Sequence, residues 1–126
     1  MRLLLDSHAF LWWLAEDQKL SPEAREAVAD PAAIVHVSAA SIWELAIKAA
    51  LGKLDLQGAD LVEEIAENDF VELPITARHS SVAANLPRHH QDPFDRMLIA
   101  QAQVEGLTVV TRDPAFRSYG IALLST

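Results

Sequence analysis

The chain has 126 residues, enough for one compact domain with a sizeable core and too few for two ordinary ones. It is 51% hydrophobic and 22% charged, with only six prolines and four glycines, which excludes a disordered or low-complexity chain. Cysteine is absent, excluding disulfides, thiolate metal sites and a cysteine nucleophile, and the net charge of −8 argues against a broad basic surface, although an acidic site that gathers divalent cations stays open.

In chain order, residues 2–5 (RLLL) read as a short apolar strand, and 7–16 as a helix for which Asp6 or Ser7 is the cap. The leucines after Arg2 are broken by Asp6 and His8, so a signal peptide is not expected. A helix over 22–29 begins at Ser21-Pro22, a cap followed by proline at the first helical position, and Asp30-Pro31 marks its exit. A strand at 34–37 (IVHV) leads through Ser38, the expected cap, into a helix over 39–51. Ile34 to Leu51 is the most apolar long stretch, but it carries His36, Glu44 and Lys48 and falls short of a membrane span; a cytoplasmic protein without membrane contact is expected.

Residues 59–68 place Leu61, Val62 and Ile65 on one helical face and Glu63, Glu64 and Glu67 on the other, the pattern of a solvated helix. A strand at 70–73 (FVEL) ends at Leu73-Pro74, and helices follow over 76–85 and 93–105, the latter opening at Asp92-Pro93. A strand at 107–111 (LTVVT) runs into Asp113-Pro114, and 121–124 (IALL) is a weaker strand. Strands alternating with helices predict one α/β domain over 1–126, in three α/β/α layers around a parallel sheet of four to five strands. Glycines at 52, 58, 106 and 120 make neither a dinucleotide fingerprint nor a P-loop.

Ligands of open parallel sheets bind beyond the carboxyl ends of the strands, so the acids located there carry the functional reading. Asp6 follows the first strand, Asp92 and Asp95 open the helix before strand four, and Asp113 follows strand four. Each has an alternative as a helix cap or, for Asp95, as the third residue of a capping box. Glu44 is different, because Ile42, Trp43, Leu45, Ala46 and Ile47 surround it in a mostly apolar helix. A carboxylate there needs a partner, either Lys48 four residues on or a cation. Brought together, these acids cannot all ionise without cations, and Mg²⁺ or Mn²⁺ take such hard oxygen ligands. Metal-assisted phosphodiester hydrolysis is the reaction class that follows.

The segments LLLDSHAFLWWL, VSAASIWELAIK, HHQDPFDRMLIAQA and TVVTRD, in this order, resemble the PIN domain, specifically the VapC-type toxin ribonucleases of bacterial toxin–antitoxin pairs, over essentially the whole chain. The resemblance implies a PIN-like fold and a Mg²⁺- or Mn²⁺-dependent endoribonuclease acting on RNA. It also implies a homodimer inhibited by a small antitoxin that occupies the groove near the acids. Asp6, Glu44, Asp95 and Asp113 match the catalytic, metal-holding acids of the family, with Asp92 a second-choice ligand or a cap; Ser7 stands where relatives often carry Thr or Ser. Ser7, Arg96, Arg112 and Lys48 lie close to these acids in sequence and are candidates for holding the phosphate, the alternative for the two arginines being a salt bridge to the same acids.

Trp12, Trp13 and Trp43 can stack on bases, but their apolar helices favour core or dimer packing. His89-His90 has no second ligand cluster at zinc spacing and is not taken as a metal pair. Two other readings are consistent with an acidic α/β chain: a catalytically silent PIN-like binding module, and a Mg²⁺-dependent phosphoacceptor domain. The second wants an acid pair after strand one and an Asp after strand three, where this chain has a lone Asp6 and VELPIT.

Overall fold

The computed structural model describes residues 1–126. The elements are β1 (Arg2–Leu5), α1 (Ser7–Leu14), α2 (Pro22–Ala29), β2 (Ile34–Ser38), α3 (Ala39–Ala50), α4 (Leu61–Glu67), β3 (Val71–Leu73), α5 (Ala77–Asn85), α6 (Pro93–Glu105), β4 (Thr108–Thr111) and β5 (Leu123–Ser125). A short 3₁₀ helix over Pro114–Tyr119 lies between β4 and β5, its start marked in the sequence by Asp113-Pro114 but its length not foreseen. Asp113 caps it, with Pro114 in its first turn.

All five strands are parallel, in the order β3-β2-β1-β4-β5. This order differs from the 2-1-3-4-5 order of flavodoxin-like phosphoacceptor domains, so the phosphoacceptor reading is discarded. β1 is central, with Leu3 opposite Val35 on β2 and Leu5 opposite Val110 on β4. Two-residue alternation divides its leucines between the faces of the sheet. Leu3 and Leu5 pack with Phe10, Val28, Val37, Leu45 and Ile65 beneath α1–α4, whereas Leu4 packs with Leu98, Ile99, Val109 and Phe116 beneath α5, α6 and the 3₁₀ helix. Each fully buried Leu or Phe contributes about 1.5–3 kcal/mol, so these two cores are the main force holding the three layers.

Helix ends follow local chemistry. Ser21 and Ser38 cap α2 and α3 as expected, and α6 stops at Gly106, whose φ of 68° is a left-handed value that suits glycine. A buried polar link fixes α6 against the sheet: Ser38 Oγ donates to Gln101 Oε1 at 2.6 Å, and Gln101 Nε2 donates to the Pro74 carbonyl at 3.3 Å. It sets the height of α6, and with it Asp92 and Asp95, against the end of β2 from which the Glu44 helix starts. No helix is long and apolar enough to cross a membrane.

Candidate active site

At the carboxyl edge of β1 and β4, Asp6 donates its amide to the Val110 carbonyl at 3.1 Å, so the turn out of β1 is fastened to β4. Its Oδ1 accepts the Ala9 amide at 2.8 Å and caps α1. Asp113 repeats the arrangement, with Oδ1 accepting the Ala115 amide at 2.9 Å. Asp92 Oδ1 accepts the amides of Phe94 and Asp95 at 2.8 and 3.2 Å at the head of α6. The capping alternatives are therefore realised at all three, yet each Asp keeps a second oxygen, and all three line the same cleft.

Asp95 has no capping role, since the amide of Asp92, which a capping box would direct to it, approaches His90 Nδ1 instead at 3.3 Å. Its carboxylate turns into the cleft. Glu44 also reaches it from the second turn of α3: Ser7 Oγ donates to Oε1 at 2.6 Å and Lys48 Nζ to Oε2 at 3.1 Å. The Lys48 partner expected from sequence is thus present, but so is a buried hydroxyl that orients the acid. Burial raises the pKa of Asp6, with Thr111 and the Ala9 amide opposing the rise. Burial, and next the charge of Asp92, push Asp95 from 3.8 up to about 7, against the opposing pull of His90, with Glu44 and Asp6 adding to the rise. Acids crowded to this degree are poised to gain a cation in place of a proton.

The cleft has a volume of about 440 Å³, and beside the five acids it is lined by Ser7, His8, Trp12, Lys48, Arg112 and Pro114. Arg112 lies with its guanidinium 4.8 Å from the centre of the Trp12 ring and donates to the Lys19 carbonyl, so it is held at the rim rather than paired with Asp113. Arg96 is a correction. It was a candidate for holding phosphate, or else for pairing with Asp95, but it is buried and donates to four backbone carbonyls, those of Ala83, Leu86, Pro87 and His90, at 2.8 to 3.2 Å. It organises the α5–α6 connection and does not line the cleft.

The tryptophans separate into three cases. Trp13 packs on Phe70 and donates Nε1–H to Asn68, as a packing residue should. Trp12 stacks with His8 and forms a wall of the cleft. Trp43 is 62% exposed and meets Phe94 edge-on, which removes the core half of the core-or-dimer expectation for it.

His90, set aside from sequence, is part of the cluster. Its Nε2 is 2.9 Å from Asp95 Oδ2 and 3.3 Å from Asp113 Oδ2, and one donor atom from each of the three residues falls within 4.8 Å of the others. Its position depends on the path of the 86–92 loop, for which the sequence carries no periodic signal. The second oxygens of the Asp residues, which no helix end uses, the raised pKa values of Asp6 and Asp95 and this convergence of donors fit a divalent cation.

A parallel α/β sheet whose carboxyl edge opens on a cleft lined by five acids defines the class of this domain. The chain matches the PIN domain over residues 3–122 and belongs to that family. It is 36% identical over 120 residues to ribonuclease VapC22 of Mycobacterium tuberculosis, an alignment covering 93% of this chain and 91% of the relative. Among solved structures it resembles VapBC2 from Rickettsia felis bound to a promoter DNA fragment, with a TM-score of 0.78, 14% identity and coverage of 100% and 99% of the two chains. It also resembles VapBC-5 from Mycobacterium tuberculosis, with a TM-score of 0.65, 20% identity and coverage of 98% and 96%. These two likenesses establish the fold.

Proposed function

We propose that the protein is a divalent-metal-dependent endoribonuclease and the toxin of a toxin–antitoxin pair, acting in the cytoplasm. The observation that carries this reading is the convergence of Asp6, Glu44, Asp95 and Asp113 on one cleft in a PIN domain. Likeness to a named ribonuclease supports RNA as the substrate.

Asp6, Asp95 and Asp113, with Asp92 as a further donor, would hold Mg²⁺ or Mn²⁺. Such an ion supplies Lewis-acid activation of water and neutralises charge at the phosphate. Glu44 is held by Ser7 and Lys48 so that its carboxylate cannot swing away from the cleft. Lys48 and Arg112 offer the cationic groups for phosphate oxygens, and Trp12, braced by Arg112 and His8, offers a face for a base.

A small cognate antitoxin is the proposed inhibitor. An apolar groove of about 460 Å³, lined by Leu11, Leu14, Leu54, Leu56 and Leu61, adjoins the cleft through the shared Trp12, so a segment seated there reaches the acids. The exposed Trp43 and Leu51 support a homodimer. The test is cleavage of RNA by nuclease-free protein with added Mg²⁺ or Mn²⁺, abolished by chelation and by Asp6→Asn or Asp95→Asn. Metal-independent cleavage, or none on a broad panel of RNAs, refutes the reading.

A further inference from the structure

The ring of His90 is fixed from behind. Its backbone amide donates to Tyr119 Oη at 2.7 Å, and the ring meets Phe116 edge-on with centroids 6.1 Å apart. In front, Nε2 faces the Oδ2 atoms of Asp95 and Asp113 at 2.9 and 3.3 Å, is shielded from solvent, and makes no aligned hydrogen bond. A ring nitrogen this close to two carboxylate oxygens needs an atom between them, the proton of an imidazolium or a shared cation, and no well-aligned N–H···O bond joins it to either oxygen. The spacing is also that of ligands around one ion, since an octahedral ion with ligands ~2.1 Å away sets adjacent ligands ~3 Å apart, and two carboxylates meeting one poorly aligned nitrogen favour the ion.

We propose that Nε2 of His90 is a ligand of the divalent ion held by Asp95 and Asp113, and that this mixed imidazole–carboxylate centre prefers Mn²⁺ and later first-row ions to Mg²⁺. The inference rests on the metal-dependent reading above and concerns which ion the site selects. Mg²⁺ takes oxygen ligands and retains its waters, whereas an imidazole nitrogen adds more to the affinity of transition ions. Ligation through Nε2 puts the ring proton on Nδ1, so the long 3.3 Å approach of the Asp92 amide to that atom is released.

The experiment uses Mn²⁺ alone as the probe, followed by electron spin-echo spectroscopy of the loaded protein. Modulation from a directly bound imidazole nitrogen is expected in the wild type and in His89→Gln, and is expected to vanish in His90→Gln. Titrations on the same samples should show Mn²⁺ affinity falling at least about tenfold in His90→Gln, with Mg²⁺ affinity within about threefold of wild type. Thermal melts establish that the variant is folded, and the wild-type spectrum decides the matter even if it is not. Mn²⁺ bound without nitrogen modulation, or an unchanged Mn²⁺/Mg²⁺ ratio in a folded His90→Gln, overturns the inference and leaves the nuclease reading standing. Failure of the wild type to bind either ion overturns both.

Discussion

Replacing Asp95 by asparagine examines the cleft through stability instead of activity. Burial first, and then the charge of Asp92, raise this carboxyl from 3.8 to about 7. At about 1.4 kcal/mol per pKa unit, ionising it in the metal-free folded protein costs roughly 4 kcal/mol. The side chain is 22% exposed, so solvent relieves part of that, and about 2–4 kcal/mol remains. Because the folded pKa lies above the unfolded one, the stabilising contribution is complete below about pH 4 and is lost as pH rises through about 7. In chelator, Asp95→Asn should match the wild type near pH 4 and exceed it by about 2–4 kcal/mol at pH 8. Urea denaturation across this range measures the difference directly. Added Mn²⁺ at pH 8 should reverse the order, since only the wild type keeps the ligand. A variant no more stable than wild type at pH 8 in chelator would refute the electrostatic argument.

Other outcomes follow from single contacts. Ser7→Ala removes the 2.6 Å hydrogen bond to Glu44, a charge-assisted bond worth about 1.5–3 kcal/mol, so single-turnover RNA cleavage should slow about ten- to a hundredfold with little change in RNA affinity. Arg96→Ala leaves four carbonyls without their donor and should cost about 3 kcal/mol in denaturant unfolding, with Arg96→Lys recovering less than half, because lysine lacks the planar fork. Arg112→Ala should weaken RNA binding, measured by fluorescence anisotropy, and reduce the magnitude of the logarithmic salt slope by about 0.7, the value of one single-strand phosphate contact. An unchanged slope would remove Arg112 from the binding surface. Gly106→Ala, at φ 68°, should cost about 1 kcal/mol in the same unfolding assay without affecting cleavage.

Much of this was legible in the sequence wherever a short-range rule governs the residue. Two-residue and helical periodicity placed the strands and helices to within about two residues, and the Ser-Pro and Asp-Pro pairs gave the starts of α2, α6 and the final turn. β5 proved shifted to Leu123–Ser125, since a three-residue edge strand has almost no pattern to read. Glu44 could be singled out because an acid in an apolar helix violates the local pattern. Arg96 could not be assigned, because its partners are backbone carbonyls, which leave no trace in side-chain identity. For Trp43 the sequence left core and dimer packing open for a related reason: α3 is apolar around most of its circumference, so its sequence does not say which face the sheet covers. His90 needed the loop path, which depends on Arg96 gathering the carbonyls of Pro87 and His90.

The doubled duty of Asp6, Asp92 and Asp113 bears on how such a protein ages in evolution. One oxygen of each holds a helix end and the other faces the cleft. Asparagine supplies the same accepting oxygen and drops only the charge, so a single base change can silence the acid while the helix start stays intact. Alanine, in contrast, also removes a cap worth about 1 kcal/mol. A lineage can thus drift from nuclease to inert decoy without passing through an unfolded ancestor, and an experimenter who wants to isolate chemistry from folding has the same exchange to hand.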